Sequence, residues 1–346
     1  MSIGATNARP FLDIKDLSVR FETDDGIVQA VTESTFSLEK GKTLGIVGES
    51  GSGKSVTSLA ILGLHRTRSN AKVAGEIWLE DEELVTATDE QVRKLRGGKM
   101  AMIFQDPLSA MHPYFTVGAQ IVEAYRVHHP GVNKKVARER AIDMLERVGI
   151  PQPARRFHDY AHQFSGGMRQ RAMIAMALVN DPALLIADEP TTALDVTVQA
   201  QILDLIRDLQ AEFGSAVIMI THDLGVVAEL ADDVLVMYGG KIIERGPALD
   251  VFQSPQHPYT WGLLGSMPRL DREVRERLTP VKGTPPSLIN LPSGCSFHPR
   301  CPYVDRTGGR SFNEVPVLRG GAHAVACHLS QEDRTTIFQQ DVLPNL

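Results

Sequence analysis

Apolar and polar residues partly alternate over residues 12–21, and this run ends at a turn-forming Asp-Asp-Gly at residues 24–26. A period of two is typical of a half-buried strand, whereas apolar residues with helical spacing indicate an amphipathic helix. We therefore predict that the chain begins with a hairpin in an antiparallel edge sheet.

Short apolar runs recur further along the chain, and segments with helical character separate them. Strands that alternate with helices predict an α/β fold, with a mainly parallel sheet flanked by helices on both faces. The strands are predicted at residues 43–47, 100–104, 184–187 and 217–221, and the helices at residues 55–64, within 117–149, after 165 and at 198–213.

Prolines cluster and helical periodicity fades after residue 246. We place a boundary there, between a large domain at residues 1–246 and a C-terminal extension at residues 247–346. A chain of 346 residues has room for one large domain and a smaller appendage.

The composition of 42% hydrophobic and 23% charged residues predicts a packed globular core. A net charge of −6 argues against a nucleic-acid binder, which usually carries a basic excess. The polar N-terminus lacks the apolar segment of a secretory signal, and no apolar run approaches the roughly 18 residues of a membrane span. The three cysteines do not suggest a disulfide framework, so we expect a cytoplasmic protein.

A glycine-rich motif directly follows the strand predicted at residues 43–47. The segment GESGSGKS at residues 48–55 matches the pattern GxxxxGK[ST] in full. Glycines let backbone N–H groups turn toward phosphate oxygens, and the helix that follows adds its positive end. The lysine reaches the β- and γ-phosphates, and the last hydroxyl binds Mg²⁺. The predicted nucleotide-binding residues here are Gly48, Ser50, Gly51, Ser52, Gly53, Lys54 and Ser55.

Two carboxylates follow the apolar run at residues 184–187. Ligands of open α/β sheets bind beyond the carboxyl ends of the strands. Asp188 suits binding of Mg²⁺, usually through water, and Glu189 suits polarising the water that attacks the γ-phosphate.

A second anion-binding helix start is predicted at Ser165, Gly166 and Gly167. A hydroxyl and free N–H groups at the first turn of a helix attract a phosphate. Because one nucleotide already accounts for the first glycine-rich turn, this turn indicates a nucleotide held by another subunit. The alternative is an ordinary helix cap.

These motifs, in this order, resemble those of ATP-binding-cassette (ABC) ATPases over residues 11–246. The resemblance implies a P-loop NTPase cassette, with a mixed, mainly parallel sheet flanked by helices, an antiparallel edge sheet and a helical lobe at about residues 106–165. A small C-terminal extension completes the expected architecture. The resemblance also implies that ATP and Mg²⁺ bind and that ATP is hydrolysed.

The same resemblance assigns further residues. Gln105 lies where the family has its Q-loop, beside Mg²⁺ and the attacking water, and TALD at residues 192–195 is similar to the D-loop, which brings in Asp195. His222 falls at the switch histidine, so the implied catalytic set is Glu189, His222 and Gln105. Phe21 is the candidate for the ring that stacks on adenine, and an exposed edge-strand phenylalanine is the alternative.

Two tail segments narrow the resemblance to the oligopeptide and dipeptide importers. HPYT at residues 257–260 and GCSFHPRCP at residues 294–302 are similar to motifs of that branch's C-terminal extension, and QDPLSAMHP at residues 105–113 agrees. Some members place four cysteines there as ligands of a [4Fe-4S] cluster. Cys295, Cys301 and Cys327 match three of these positions, whereas Gly308 occupies the other. Ordinary reduced cysteines and an incomplete iron–sulfur or metal site are the two interpretations.

The resemblance implies an importer ATPase that energises peptide uptake from the cytoplasmic face of the membrane. Its expected partners are a second ABC ATPase subunit in a heterodimer, two transmembrane permease subunits and an extracytoplasmic solute-binding protein, with no nucleic acid. An importer for nickel or an oligosaccharide is one alternative, and a soluble ABC protein acting on ribosomes or DNA is another.

Overall fold

The structure is a computed structural model that describes residues 9–67, 70–192, 194–266 and 281–345. The strands are β1 (Leu12–Thr23), β2 (Gly26–Leu38), β3 (Thr43–Val47), β4 (Ala71–Leu79), β5 (Glu82–Glu83), β6 (Met100–Ile103), β7 (Leu184–Asp188), β8 (Ala216–Thr221), β9 (Asp233–Tyr238), β10 (Lys241–Pro247), β11 (Arg319–Gly320) and β12 (Ala324–Val325). The helices are α1 (Lys54–Ile61), α2 (Asp89–Leu95), α3 (Pro107–Ala110), α4 (Val117–His128), α5 (Lys134–Arg147), α6 (Pro153–Arg156), α7 (Gly166–Leu178), α8 (Val196–Phe213), α9 (Leu224–Leu230), α10 (Ala248–Gln253), α11 (Pro258–Leu264), α12 (Arg310–Asn313) and α13 (Gln331–Ile337).

The chain forms two compact units. The first unit comprises Met1–Leu38, Thr43–Val85 and Ile220–Leu346, and the second comprises Glu39–Lys42 and Thr86–Met219. Of the residues that the structure describes, none belongs to a helix long and apolar enough to cross a bilayer.

The first unit contains the predicted hairpin. β1 and β2 pair antiparallel up to Thr23 and Gly26, and β4 pairs antiparallel with the other edge of β1. A second set of strands in this unit pairs β3 with β9 in parallel and then β9, β10, β12 and β11 in antiparallel order. The predicted α/β class and the antiparallel edge sheet are confirmed.

The core of the first unit includes residues from beyond residue 246. Tyr259 and Phe297 pack in one apolar cluster with Val47 at the end of β3 and with Val236 and Tyr238 of β9. The domain boundary at residue 246 stays a prediction. Helices also occur beyond residue 246 among the clustered prolines: Pro258 begins α11 at the first helical position, where its missing N–H costs nothing.

The second unit pairs β6 with β7 in parallel, with Met100 opposite Leu184. α4 and α5 pack on each other, and both pack on α7. α4, α5, α7 and α8 each begin at a side chain that accepts a backbone hydrogen bond, because four N–H groups at a helix start have no partner within the helix. The capping residues are Thr116, Asn133, Ser165 and Asp195. The helical lobe at about residues 106–165 remains a prediction.

Candidate functional site

The glycine-rich loop at residues 48–53 connects β3 to α1 in the first unit. Gly48 and Gly53 have φ values of +151° and +107°, which side chains rarely adopt. A Cβ atom would lie 2.3 Å from the Met237 carbonyl oxygen at Gly48 and 2.5 Å from the Ala30 carbonyl oxygen at Gly53. Only glycine therefore fits at these two positions.

The side chain of Lys54, the first residue of α1, is hydrogen-bonded to this loop. Its buried ammonium donates hydrogen bonds to the carbonyl oxygens of Gly48 at 2.7 Å and Glu49 at 3.0 Å. The Ser52 hydroxyl is also buried, and it has no hydrogen-bond partner among the described residues. Burying an unpaired hydroxyl is costly, and a phosphate oxygen would satisfy it.

Three further residues of the motif are exposed. Ser50, Gly51 and Ser55 are exposed, and a Cβ at Gly51 would meet nothing within 4 Å. Phe21, the candidate adenine-stacking residue, lies half-buried on β1 between Val28 of β2 and Ala71 of β4.

The second unit brings Gln105 and Glu189 together. Gln105 Nε2 donates to Glu189 Oε2 at 2.9 Å, and the Thr192 hydroxyl donates to the same oxygen at 2.9 Å. Glu189 has a left-handed φ of +47°, a conformation that is unfavourable for a non-glycine residue and is often found at functional sites. Asp188, one residue earlier, is the buried last residue of β7.

Ser165 and Gly166 form an exposed turn at the start of α7, and Gly167 is half-buried. The Ser165 hydroxyl accepts from the Met168 N–H at 3.3 Å. Asp195 is exposed and caps α8 by accepting from the Val198 N–H at 3.0 Å. Within the predicted D-loop, Ala193 lies outside the described residues.

His222 is exposed and directly follows β8. The next residue, Asp223, caps α9 by accepting from the Gly225 N–H at 2.9 Å. The predicted strand before His222 is confirmed, and the helix α9 that follows it was not predicted.

Sequence reasoning missed two residues that contact the glycine-rich loop. The Arg300 guanidinium donates to both carboxylate oxygens of Glu49, and the Tyr259 hydroxyl accepts from the Glu49 N–H. Both residues lie in tail segments that we singled out for their family resemblance, and Arg300 precedes Cys301 directly. That resemblance was the only available signal, because the partners are far apart in sequence.

The three cysteines are free thiols, and the iron–sulfur interpretation finds no support. Burial raises the pKa of Cys301 to about 12 and that of Cys327 to about 11, and it also raises the pKa of Cys295. Cys295 and Cys301 pack in the cluster around Tyr259, and Cys327 packs against the cluster around Trp261. The charges of Cys295 and Cys327 contribute to the raised pKa of Cys301, so the three side chains lie near one another. No group of three or more His, Cys, Asp or Glu side chains in the described part of the chain is arranged to hold a metal.

Two family models match the chain. The model described as ABC transporter matches residues 31–192, and the model described as oligopeptide/dipeptide transporter, C-terminal region, matches residues 243–307. The first match contains the glycine-rich loop, the Ser165 turn and Glu189. The second contains Tyr259, Cys295 and Arg300.

Curated relatives match over most of the chain. The dipeptide transport ATP-binding protein DppD of Bacillus subtilis is 50% identical, over 93% of this chain and 95% of its own length. The oligopeptide transport ATP-binding protein OppD of Salmonella typhimurium is 52% identical, over 86% of this chain and 88% of its own length.

A solved cassette structure matches the fold. The dimeric structure of the ATP-binding cassette MJ0796, in a post-hydrolysis state with ADP and Pi, superposes with a TM-score of 0.62 at 26% identity. The match covers 68% of this chain and 98% of the MJ0796 chain. Because both family models match and the chain is 50% identical to DppD over 93% of its length, it belongs to the ATP-hydrolysing subunits of the ABC transporter family, in the oligopeptide/dipeptide branch.

Proposed function

We propose that this chain hydrolyses ATP to energise the import of di- and oligopeptides through partner membrane subunits. The observation that carries the proposal is the identity of 50% with a dipeptide transport ATP-binding protein over 95% of that protein's length. This similarity includes the C-terminal region, which is the part that distinguishes the peptide branch among ABC ATPases.

Phosphate binding is assigned to the glycine-rich loop. Lys54 supplies a positive charge at the loop carbonyls, Ser52 supplies a buried hydroxyl in need of a partner, and exposed Ser50 and Gly51 supply polar groups open to solvent. Charge-assisted hydrogen bonds to phosphate are among the strong ones in proteins. Phe21 is assigned to the adenine ring.

Ser55, Gln105 and Asp188 are the residues that would hold Mg²⁺. Their hydroxyl, amide and carboxylate oxygens are hard donors of the kind this ion prefers. When bound, Mg²⁺ neutralises charge that develops on the phosphate oxygens.

Glu189 is assigned to the attacking water. The amide of Gln105 and the hydroxyl of Thr192 both donate to its Oε2, so they fix the direction of the carboxylate. A fixed carboxylate can accept a proton from water or orient the water for attack. His222 is assigned to the same reaction, as a residue that contacts the γ-phosphate.

The Ser165–Gly167 turn and Asp195 are assigned to the nucleotide of a second ATPase subunit packed head to tail, which we propose is a related but different chain. ATP binding would close this pair and hydrolysis would open it, and that two-state cycle would drive the membrane subunits. The proposed location is the cytoplasmic face of the membrane, beside two permease subunits and served by an extracytoplasmic solute-binding protein.

The proposal is tested by reconstituting the chain with its second ATPase and two permease subunits in vesicles, and adding the solute-binding protein. We expect ATP-dependent uptake of a labelled dipeptide or tetrapeptide, and no uptake with the Glu189→Gln subunit. ATP-dependent uptake of nickel or an oligosaccharide, without peptide uptake, would refute the peptide assignment. Absence of ATP hydrolysis in the complete complex would refute the whole proposal.

A further inference from the structure

The C-terminal extension contacts the glycine-rich loop at residues 48–53 (the phosphate loop) through an ion pair. Arg300 Nη1 donates to Glu49 Oε2 at 2.5 Å, and Arg300 Nη2 donates to Glu49 Oε1 at 2.9 Å, across 251 residues of sequence. Glu49 is the second residue of the GESGSGKS motif. A bidentate arginine–carboxylate pair balances the charge of the carboxylate and fixes its orientation.

The surroundings hold Arg300 in this position. Only 5% of its side chain is exposed, against 27% for Glu49. The guanidinium also donates to backbone oxygens of the extension, at Lys282, Val281 and Gly283. The pKa of Arg300 is raised, mainly by its hydrogen bonds to Glu49, so the guanidinium remains charged.

A second contact fixes the backbone of Glu49. Its N–H donates to the Tyr259 hydroxyl at 2.8 Å. Tyr259 is fully buried in the same apolar cluster as Val47, at the end of the strand that leads into the loop. Glu49 is therefore held by the extension at both its side chain and its backbone.

The charge of Glu49 gives this contact a consequence for nucleotide binding. The motif gathers N–H groups and Lys54 for an anion, and a carboxylate within it opposes that anion. Charges within about 10 Å of each other interact appreciably at ordinary ionic strength. Arg300 balances the carboxylate charge, so Glu49 opposes a bound anion less strongly in a loop that also carries Lys54.

We propose that Arg300 is a positioning residue of the nucleotide site: by neutralising and orienting Glu49, it lets the C-terminal extension set the affinity of the phosphate loop for ATP. This inference rests on the proposed function of the loop. It gives the extension a role in the ATPase reaction that does not depend on the cysteines.

The test compares ATP dissociation constants, measured by calorimetry, for four forms of the full chain. Arg300→Met keeps the length of the side chain but leaves the Glu49 carboxylate unpaired, so we expect ATP to bind on the order of tenfold more weakly. Glu49→Gln leaves the arginine charge uncompensated beside the phosphates, so ATP should bind several-fold more tightly. The double variant should recover most of the affinity lost in Arg300→Met. The loss in Arg300→Met should also shrink at high salt.

Arg310→Met is the matched control. Arg310 donates to backbone oxygens of Thr307 and His328 inside the extension, so its loss disturbs the extension without changing the charge at Glu49. We expect its ATP affinity to equal that of the unaltered chain. If Arg300 only stabilised the extension, ATP binding would weaken equally in Arg310→Met and Arg300→Met.

The outcomes separate this inference from the proposed function. If the unaltered chain fails to bind ATP, the proposed function fails. If it binds ATP and Arg300→Met binds equally well, this inference alone fails. If Arg300→Met does not fold, Glu49→Gln decides: tighter binding supports charge compensation, and unchanged or weaker binding overturns it.

Discussion

The side-chain amide of Gln105 donates a hydrogen bond to the carboxylate of Glu189 at 2.9 Å, although the two residues lie 84 positions apart. Thr192 donates to the same carboxylate oxygen. A left-handed non-glycine residue such as Glu189 costs about 1–3 kcal/mol and persists only where its surroundings hold it. The contacts with Gln105 and Thr192 fix the direction of its carboxylate.

Replacing Glu189 by glutamine removes the negative charge and keeps the shape of the side chain. We expect ATP hydrolysis to fall by about a hundredfold or more, since glutamine cannot accept a proton from the attacking water. ATP binding should remain, and the closed pair of ATPase subunits should accumulate. Steady-state phosphate release measures the first effect. Glu139→Gln, an exposed change on α5, serves as the control, and full activity in Glu189→Gln would show that the base lies elsewhere.

Replacing Gln105 by alanine removes a side-chain donor to Glu189. We expect a smaller fall in turnover than for Glu189→Gln, about tenfold, because Thr192 still holds the carboxylate. The loss should disappear when Glu189 is already glutamine, since the two residues act as a pair. Turnover in a double-mutant cycle measures this coupling, and simple additivity of the two losses would contradict it.

Replacing Lys54 by alanine deletes the ammonium that bridges the loop carbonyls. We expect ATP affinity to fall by about tenfold to a hundredfold, because charge-assisted contacts to phosphate contribute about 1.5–3 kcal/mol each. Titration calorimetry measures the affinity. Lys135→Ala, which alters an exposed lysine of α5, should leave it unchanged. Equal affinity for Lys54→Ala and the unaltered chain would remove Lys54 from the site.

Replacing Ser165 by arginine fills the exposed turn at the start of α7. We expect the isolated subunit to bind ATP normally and the assembled pair to lose hydrolysis at the site that this turn completes. Ser330→Arg removes a comparable cap from α13 and should cost stability only. Loss of ATP binding in the isolated Ser165→Arg subunit would show that the turn serves its own nucleotide.

His257 predicts a pH dependence of stability. Burial is the main cause that lowers its pKa from 6.5 to about 3, and the positive charge of Arg334 lowers it further. Below pH 6.5 the imidazole of His257 is therefore protonated in the unfolded chain but not in the folded chain. The free energy of unfolding should decrease as the pH falls from about 6.5 toward 3. Between pH 6.5 and 5 the loss should be about 2 kcal/mol.

Urea unfolding at pH 7 and pH 5 measures this loss. His257→Asn provides the control, because asparagine can still accept the hydrogen bond from the Tyr259 N–H but does not titrate. We expect the pH dependence of this variant to be flatter than that of the unaltered chain. Identical slopes for the two proteins would contradict the assignment.

Local sequence determined much of this protein. The Asp-Asp-Gly turn set the end of the first hairpin at Thr23 and Gly26, and the apolar run at β3 ended at the first glycine of the phosphate loop. Such features need only near neighbours, since turn chemistry, strand period and a glycine-dependent φ act within a few residues. The positions of Lys54, Asp188 and Glu189 next to strand ends could be predicted for this reason, and their roles stay predictions.

Tertiary structure alone decided which distant groups meet. Nothing in the local pattern joins Glu49 to Arg300, and only the family resemblance placed Gln105 with Glu189, because each contact depends on how whole elements pack. The cysteines show the reverse case: the family resemblance suggested a shared metal site, and Cys301 and Cys327 lie close enough to another cysteine for its charge to raise their pKa, yet the described residues include no group of three or more His, Cys, Asp or Glu side chains arranged to hold a metal. Spacing along a chain limits how far apart residues can be, whereas packing of the core determines which of them come into contact.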